Sequence, residues 1–134
     1  MEKSLAELVR WRARERCEYC QLPQAFSSFR FQIDHIIAQQ HLGPTTEDNL
    51  ALACYLCNHH KGPNIAGFDL VTESIVALFN PRRDAWYEHF QWDGPVLAAL
   101  TPTGRVTVHV LAMNLDRQIE LRSELLREDV FPPS

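Results

Sequence analysis

The chain has 134 residues, 46% of them hydrophobic and 22% charged, which is the composition of one ordinary globular domain. No stretch approaches the roughly 18 to 20 consecutive apolar residues of a transmembrane helix. The charged start, MEKSLAELVRWRARER, lacks the features of a secretory signal. We therefore expect a cytoplasmic protein with reduced thiols. The net charge of −4 neither supports nor excludes a DNA partner.

The first predicted element is an amphipathic helix over residues 5–15, within an N-terminal flank of residues 4–16. Apolar residues recur at helical spacing after Ser4, and Glu7 stands three residues beyond it. This pattern predicts a capping box that begins the helix at Ser4.

A strand and a second helix are predicted next. Residues 29–37, FRFQIDHII, alternate in their apolar side chains and are rich in strand formers. A loop with a Gly-Pro pair, residues 41–49, leads into LALACYLCNHHKG, residues 50–62. We interpret this last segment as helical up to Gly62.

Residues 63–134 form a C-terminal extension. We expect one or two short strands in residues 64–80, and a helix over residues 116–127. Residues 101–113 fit a strand or a helix capped by Thr103, and we favour the helix. Four aromatic residues between these elements are expected to pack in the core rather than to stack on bases: Trp86, Tyr87, Phe90 and Trp92.

All four cysteines fall into two C-x-x-C pairs, Cys17 with Cys20 and Cys54 with Cys57, separated by 33 residues. Each pair can supply two thiolates from one tight turn, and four thiolates close a tetrahedral zinc site. Because such a site has no open position, we assign the zinc to structure. Redox pairs or buried thiols without metal remain alternatives.

Polar residues with chemical potential stand between and beside the cysteine pairs. Asp34 and His35 end the predicted strand, Asn49 follows the loop, and Asn58 comes directly after the fourth cysteine. Taken singly, each has an ordinary structural interpretation, such as a helix cap for an asparagine. Together they form a distinctive pattern.

Four motifs carry this pattern, in the order CEYC (17–20), IDHII (33–37), DNL (48–50) and CYLCNHHKG (54–62). In them the chain resembles the HNH endonuclease family, nucleases built on a ββα-metal motif, in the small bacterial variety stapled by a four-cysteine zinc ribbon. The resemblance implies an α+β fold with one nuclease domain over residues 1–134. Its parts would be a core of residues 17–62, the flanking helix of residues 4–16 and the extension of residues 63–134.

Carried over by position, the resemblance implies that His35 is the general base that deprotonates water. Asp34 and Asn58 would hold one divalent cation, and Asn49 would bind backbone groups of the loop that orients His35. A carboxylate beside an amide oxygen favours a hard ion, Mg²⁺ or Mn²⁺. An imidazole titrates near neutrality, as this role requires.

Two further residues are candidate substrate-binding groups. Lys61 lies beside the site in sequence and is a candidate phosphate contact, and His59 is a second. An exposed helix position is an equally good interpretation of His59.

One difficulty concerns the pair Asp34 and His35. Neighbouring residues of a regular strand point to opposite faces. Both side chains can face one site only if the strand twists, bulges or ends there.

The implied function is that of a metal-dependent DNA endonuclease, which hydrolyses phosphodiester bonds and leaves 5′-phosphate and 3′-hydroxyl ends. The alternatives are a zinc-ribbon module that binds nucleic acid or protein without activity, and a structural partner in a larger complex. The target and the oligomeric state stay open. A double-strand break from one such site would need a homodimer or two sequential nicks.

Overall fold

The structure, a computed structural model, describes residues 1–133. Within that range it holds five α-helices: α1 (Lys3–Arg12), α2 (Tyr55–Lys61), α3 (Trp86–His89), α4 (Pro102–Val110) and α5 (Asp116–Arg127). Six strands pair as three antiparallel hairpins: β1 (Gln32–His35) with β2 (Leu50–Ala53), β3 (Ala66–Asp69) with β4 (Ser74–Ala77), and β5 (Phe90–Asp93) with β6 (Val96–Ala99). The predicted α+β class is confirmed. None of the helices in residues 1–133 has the length and apolar character to cross a membrane.

Helix α1 starts earlier and ends earlier than predicted. Its N-cap is Glu2, whose side chain makes no capping hydrogen bond, so the predicted capping box at Ser4 is wrong. The helix stops because Arg14 and Glu15 adopt left-handed backbone conformations, with φ of 56° and 54°. These residues turn the chain into the first cysteine pair, and the buried Val9 fixes the helix on the core.

The prediction for residues 50–62 was wrong in its first third. Residues 50–53 form strand β2, which is buried along its whole length and pairs with β1, where Asp34 lies opposite Ala51. Helix α2 begins only after Cys54, whose sulfur accepts a hydrogen bond from the backbone N–H of Cys57. The predicted strand of residues 29–37 is shorter in the structure. The resulting order β1, β2, α2 is the ββα arrangement that the resemblance implied.

One or two strands were expected in residues 64–80, and the structure has two, β3 and β4. The helices favoured in residues 101–113 and 116–127 are confirmed as α4 and α5. The cap of α4 is Thr101 rather than Thr103, because the Thr101 hydroxyl accepts from the N–H of Gly104 at 3.0 Å.

Helix α4 packs closely on the hairpin of β3 and β4. A side-chain carbon on Gly67 would lie 3.0 Å from atoms of both Val106 and Val110, so a glycine allows this approach. The guanidinium of Arg105 also binds both carboxylate oxygens of Asp69, at 2.8 and 3.0 Å.

The aromatic segment contains a short helix and a hairpin that the sequence did not predict, α3 and β5 with β6. Phe90 is fully buried, and Trp86 and Trp92 pack against the core, as expected. Tyr87 differs, since it is 62% exposed. One continuous buried cluster joins the cysteine pairs and β2 to the C-terminal extension through these side chains: Val9, Tyr19, Phe31, Leu78, Phe79, Phe90, Leu97, Val106, Leu111 and Met113.

Candidate active site and metal centre

The four cysteines meet in one buried cluster, with all four sulfurs within 4.8 Å of one another. The sulfurs of Cys20 and Cys54 are 3.7 Å apart. Four thiolates about 2.3 Å from a tetrahedral zinc would be roughly 3.8 Å apart. The separation therefore fits metal ligands and is too long for a disulfide. Cys17 and Cys57 complete the set, one from each pair.

Backbone N–H groups support this cluster. The N–H of Cys20 points to the sulfur of Cys17 at 3.5 Å, and the N–H of Cys57 points to the sulfur of Cys54 at the same distance. Hydrogen bonds between the sulfurs, first among them those with Cys17, raise the pKa of Cys20 and Cys57 and lower that of Cys54. Four buried thiolates repel one another, so their joint ionisation requires a cation among them.

A cleft of about 320 Å³ lies at the end of β1, beside α2. Three of the residues expected in the active site, His35, Asp34 and Asn58, line this cleft together. Strand β1 ends at His35, which removes the difficulty that neighbouring strand residues face opposite sides. The structure thus brings these three residues to one opening.

The carboxylate of Asp34 is mostly buried and has two partners. One oxygen accepts from the hydroxyl of Tyr19 at 2.8 Å, and the ammonium of Lys61 lies 3.1 and 3.3 Å from the two oxygens. Burial raises the pKa of Asp34 from its usual value, while the charge of Lys61 and the hydrogen bond from Tyr19 oppose this rise. A carboxylate offers about four acceptor positions, so one remains unused by these contacts.

The imidazole of His35 is half-buried, and its Nε2 lies 2.8 Å from the hydroxyl oxygen of Thr45. Thr45 also accepts from the amide of Gln39 at 3.4 Å. With Nε2 protonated and donating to Thr45, the lone pair of Nδ1 is available to accept a proton. Within residues 1–133 this Nδ1 makes no hydrogen bond.

Asn49 is buried and binds the backbone of the loop that follows β1. Its amide oxygen accepts from the N–H of Ile37 at 2.9 Å, and its amide nitrogen donates to the carbonyls of Ile37 and Pro44 at 3.0 and 2.8 Å. Gly43 completes this tight loop, because a side-chain carbon there would overlap the Ile37 carbonyl at 1.7 Å. The loop carries Thr45, so these contacts fix the partner of the His35 ring.

Asn58 faces the cleft from α2. Its amide nitrogen donates to the side-chain oxygen of Gln32 at 3.1 Å. The amide oxygen of Asn58 makes no hydrogen bond within residues 1–133, so its lone pairs are free to accept a hydrogen bond or to ligate a cation. Asp34 on β1 and Asn58 on α2 are thus two groups with oxygen atoms that line the cleft from its two sides.

The two candidate substrate-binding residues lie in different environments. His59 is exposed on α2, where its ring stacks on that of Tyr55. Lys61 is only 1% exposed, and its ammonium binds Asp34 and the carbonyl of His35. The structure thus turns Lys61 inward as the counter-ion of Asp34, because α2 places it on the same buried face as Cys57.

Two arginines of α1 support the hairpin that carries the site. Arg10 donates to the carbonyl of Phe31, just before β1, at 2.8 Å. Arg12 donates to the carbonyls of Glu47 and Leu50, on either side of Asn49, both at 2.6 Å. These side chains belong to the basic run of the N-terminus, and here they bind the protein's own backbone.

Three site residues escaped the sequence reasoning. Tyr19 lies inside the first C-x-x-C pair, and Gln32 lies two residues before Asp34 on the same strand face. Their positions in the sequence therefore indicated that they lie near the site. The position of Thr45 gave no such indication, because it lies in a loop whose path depends on the contacts of Asn49.

Replacement of Thr45 by valine tests the contact with His35. For the endonuclease activity that the sequence resemblance implies, we expect the rate of phosphodiester cleavage to fall roughly 3- to 10-fold, the contribution of one neutral hydrogen bond, because the ring loses its orienting partner. Thr45 is exposed, so folding should not change. Initial cleavage rates are the measurement. The matched control is Thr46→Val, which removes a hydrogen bond to Asp48 in the same loop and leaves His35 untouched; equal rates for the two variants would contradict the prediction.

The segment that carries this site matches a known protein family. Residues 17–64 match the family model described as HNH endonuclease. No curated protein and no solved structure shows a significant match to the chain. Residues 17–64 are therefore similar to an HNH endonuclease domain, and the four clustered cysteines are consistent with the zinc-binding variety of that family.

Proposed function

We propose that this chain is a metal-dependent DNA endonuclease that hydrolyses phosphodiester bonds. The HNH domain indicates nuclease activity in general terms. The observation that supports the specific proposal is the cleft of about 320 Å³, which gathers His35, Asp34 and Asn58 at one opening. A scaffold for binding alone would not need an imidazole, an oriented amide oxygen and a carboxylate at the same place.

In this proposal His35 is the general base. Its Nδ1 takes a proton from a water molecule as the water oxygen attacks phosphorus, and the bond between phosphorus and the 3′-oxygen breaks. Solvent returns a proton to the leaving oxygen, which gives 3′-hydroxyl and 5′-phosphate ends. Thr45 holds the ring through Nε2, and Asn49 holds the loop that carries Thr45.

Asp34 and Asn58 are proposed to hold one Mg²⁺ or Mn²⁺ ion through a carboxylate oxygen and the amide oxygen. When bound, such an ion neutralises charge that develops on the phosphate and on the leaving oxygen. Tyr19 and Lys61 restrain the carboxylate, and Gln32 restrains the amide. The chain therefore supplies a pair of oxygen donors whose positions are set before the substrate arrives.

The cysteine cluster is proposed to hold a structural zinc ion. Cys57 directly precedes Asn58, so the metal anchors the first residues of α2. The first cysteine pair carries Tyr19, which binds Asp34. Zinc in this cluster would thus fix two partners of the catalytic cleft from its two sides.

Cleavage by the His35→Ala variant tests the proposal. Purified wild-type protein with zinc bound should nick or cut DNA when Mg²⁺ or Mn²⁺ is added. His35→Ala should be slower by about 10²- to 10⁴-fold, the usual contribution of a general base. Zinc content and the far-ultraviolet circular dichroism spectrum should be unchanged, since His35 is not a cluster ligand.

The matched control is His109→Ala, because His109 is an exposed histidine on α4, remote from the cleft residues in sequence. This variant should cut at the wild-type rate. Equal cleavage by wild type and His35→Ala would contradict the catalytic role and favour the alternative, a zinc-ribbon module that binds nucleic acid or protein without activity.

A further inference from the structure

Three aromatic rings form a stacked row along the outside of α2. The rings of Phe29 and Tyr55 are 5.3 Å apart between centroids, with an interplanar angle of 27°. The rings of Tyr55 and His59 are 5.9 Å apart and nearly parallel, at 6°. We call these three residues the aromatic row. No other rings in residues 1–133 stack face to face in this way.

The aromatic row is open to solvent. Phe29 is 61% exposed and Tyr55 is 47% exposed, although apolar rings normally turn toward a core. Centroid separations of 5.3 and 5.9 Å indicate offset stacks, so each ring covers only part of its neighbour's face. The uncovered faces are flat aromatic surfaces, and those of Phe29 and Tyr55 are largely apolar, which is the kind of surface that a nucleobase stacks on.

The row lies beside the cleft. On a helix successive residues are about 100° apart, so Tyr55 and His59 share one face and Asn58 lies on the flank of that face. Asn58 lines the cleft with His35. A strand of DNA whose phosphate occupied the cleft would therefore have neighbouring bases within reach of the row.

The loop that carries Phe29 is held rigidly. The carbonyl of Phe29 accepts from the side-chain amide of Gln24 at 2.9 Å and from the hydroxyl of Ser27 at 3.0 Å. The N–H of Phe29 donates to the same hydroxyl. These contacts fix the backbone that carries the ring, so less conformational entropy is lost when a base stacks on it than in a mobile loop. Arg30, the next residue, is exposed and makes no ion pair within residues 1–133, so it offers a positive charge to a phosphate.

We propose that the aromatic row binds unpaired bases of single-stranded DNA next to the scissile phosphate. The inference rests on the proposed nuclease function and narrows its substrate to DNA with unpaired bases beside the cut. In a duplex the base faces are covered by their neighbours and are not available to the rings. Charge alone would not distinguish the two forms, whereas stacking requires open base faces.

The test is a binding measurement without added Mg²⁺ or Mn²⁺, so that it does not depend on cleavage. The probes are a labelled single-stranded oligonucleotide, a blunt duplex of the same length and an abasic strand of the same length. Wild type should bind the single strand most tightly. Phe29→Ala and Tyr55→Ala should each weaken that binding by roughly 5- to 100-fold, as loss of one stacked base predicts, and Tyr55→Phe should retain it.

The matched controls are Phe68→Ala and Tyr87→Ala, because these residues are 53% and 62% exposed and neither belongs to the row. Both should bind as wild type does. A strand containing 2-aminopurine gives a second readout, since its fluorescence should be quenched on binding to wild type and less so on binding to Phe29→Ala. Zinc content should be equal in all variants, which excludes damage to the cluster next to Tyr55.

Equal affinities for the single strand and the abasic strand, or wild-type binding by Phe29→Ala and Tyr55→Ala, would overturn the role of the row. That result leaves the nuclease proposal intact if His35-dependent cleavage persists. Conversely, loss of His35-dependent cleavage would refute the nuclease proposal, while binding still reports on the row by itself.

Discussion

Cys54→Ser is expected to give a chain that does not hold zinc and is unfolded at room temperature. Zinc held by four cysteines contributes on the order of 10 kcal/mol or more to folding, whereas the net stability of a domain is about 5 to 15 kcal/mol. Serine replaces the capping sulfur of residue 54 with a hydroxyl oxygen, a good helix N-cap acceptor, so the capping of α2 is preserved. The loss can then be attributed to the missing thiolate. Zinc content and tryptophan fluorescence in denaturant are the measurements.

The control is Leu56→Ala, a half-buried residue of the same helix whose side chain is not a zinc ligand. It should keep zinc and lose no more than about 2 kcal/mol of stability. If a fraction of Cys54→Ser remains folded, its affinity for Mg²⁺ should be reduced, because the cluster positions Asn58 and Tyr19. A folded variant with unchanged Mg²⁺ affinity would contradict the coupling between the cluster and the cleft.

Lys61→Met is expected to lower the free energy of unfolding by the second large amount. The substitution removes the ammonium that lies 3.1 Å from the buried Asp34 and leaves that carboxylate without its counter-ion. Loss of one partner of a buried ion pair costs roughly 3 to 5 kcal/mol, and methionine keeps most of the side-chain volume. Urea unfolding with zinc at saturation gives the free energy. The double variant Asp34→Asn with Lys61→Met should recover much of the loss, because no uncompensated charge then remains.

The same variant has a predictable pH dependence. Burial already raises the pKa of Asp34, and without Lys61 a cause that lowers the pKa is gone. A carboxyl group whose pKa is higher in the folded than in the unfolded protein destabilises the fold as the pH rises from its unfolded value through its folded value. The deficit of Lys61→Met relative to wild type should therefore be smaller at about pH 5.5 than at about pH 8. A deficit that does not change, or that grows as the pH falls, would contradict this assignment.

Helices with a clear apolar stripe and defined ends could be predicted from the sequence, as α5 shows. Strand β2 could not, because Leu and Ala favour helices and a strand buried on both faces shows no alternation. The segment LALA was therefore joined to the helix that follows it. Its true state depends on pairing with β1 and on burial beneath α1, and neither is local information. The end of α1 at Arg14 and Glu15 is a further example, since non-glycine residues seldom adopt φ above zero.

The candidate site, too, combines features that the sequence predicts with features that depend on tertiary contacts. The resemblance carried by the motifs predicted that His35, Asp34 and Asn58 lie together, and these three residues line one cleft. It did not indicate the direction of Lys61, because a lysine after two histidines at the end of a helix is usually exposed. Only the contact between α2 and β1 shows that its ammonium turns toward Asp34. The aromatic row likewise depends on Phe29, which sequence periodicity assigned to the interior of a strand.

The cysteine cluster has a topological consequence. The first pair precedes β1 and the second follows β2, so a metal ion held by all four sulfurs would close residues 21–53 into a ring of chain. His35 and Asn49 lie inside this ring, as does Leu42, the 92% exposed tip of its outer loop. With zinc bound to all four thiolates, as proposed, two halves of a chain cut at that tip would still be joined through the metal. The proposed catalytic segment would then keep its arrangement without an unbroken backbone, as long as the four thiolates hold the ion.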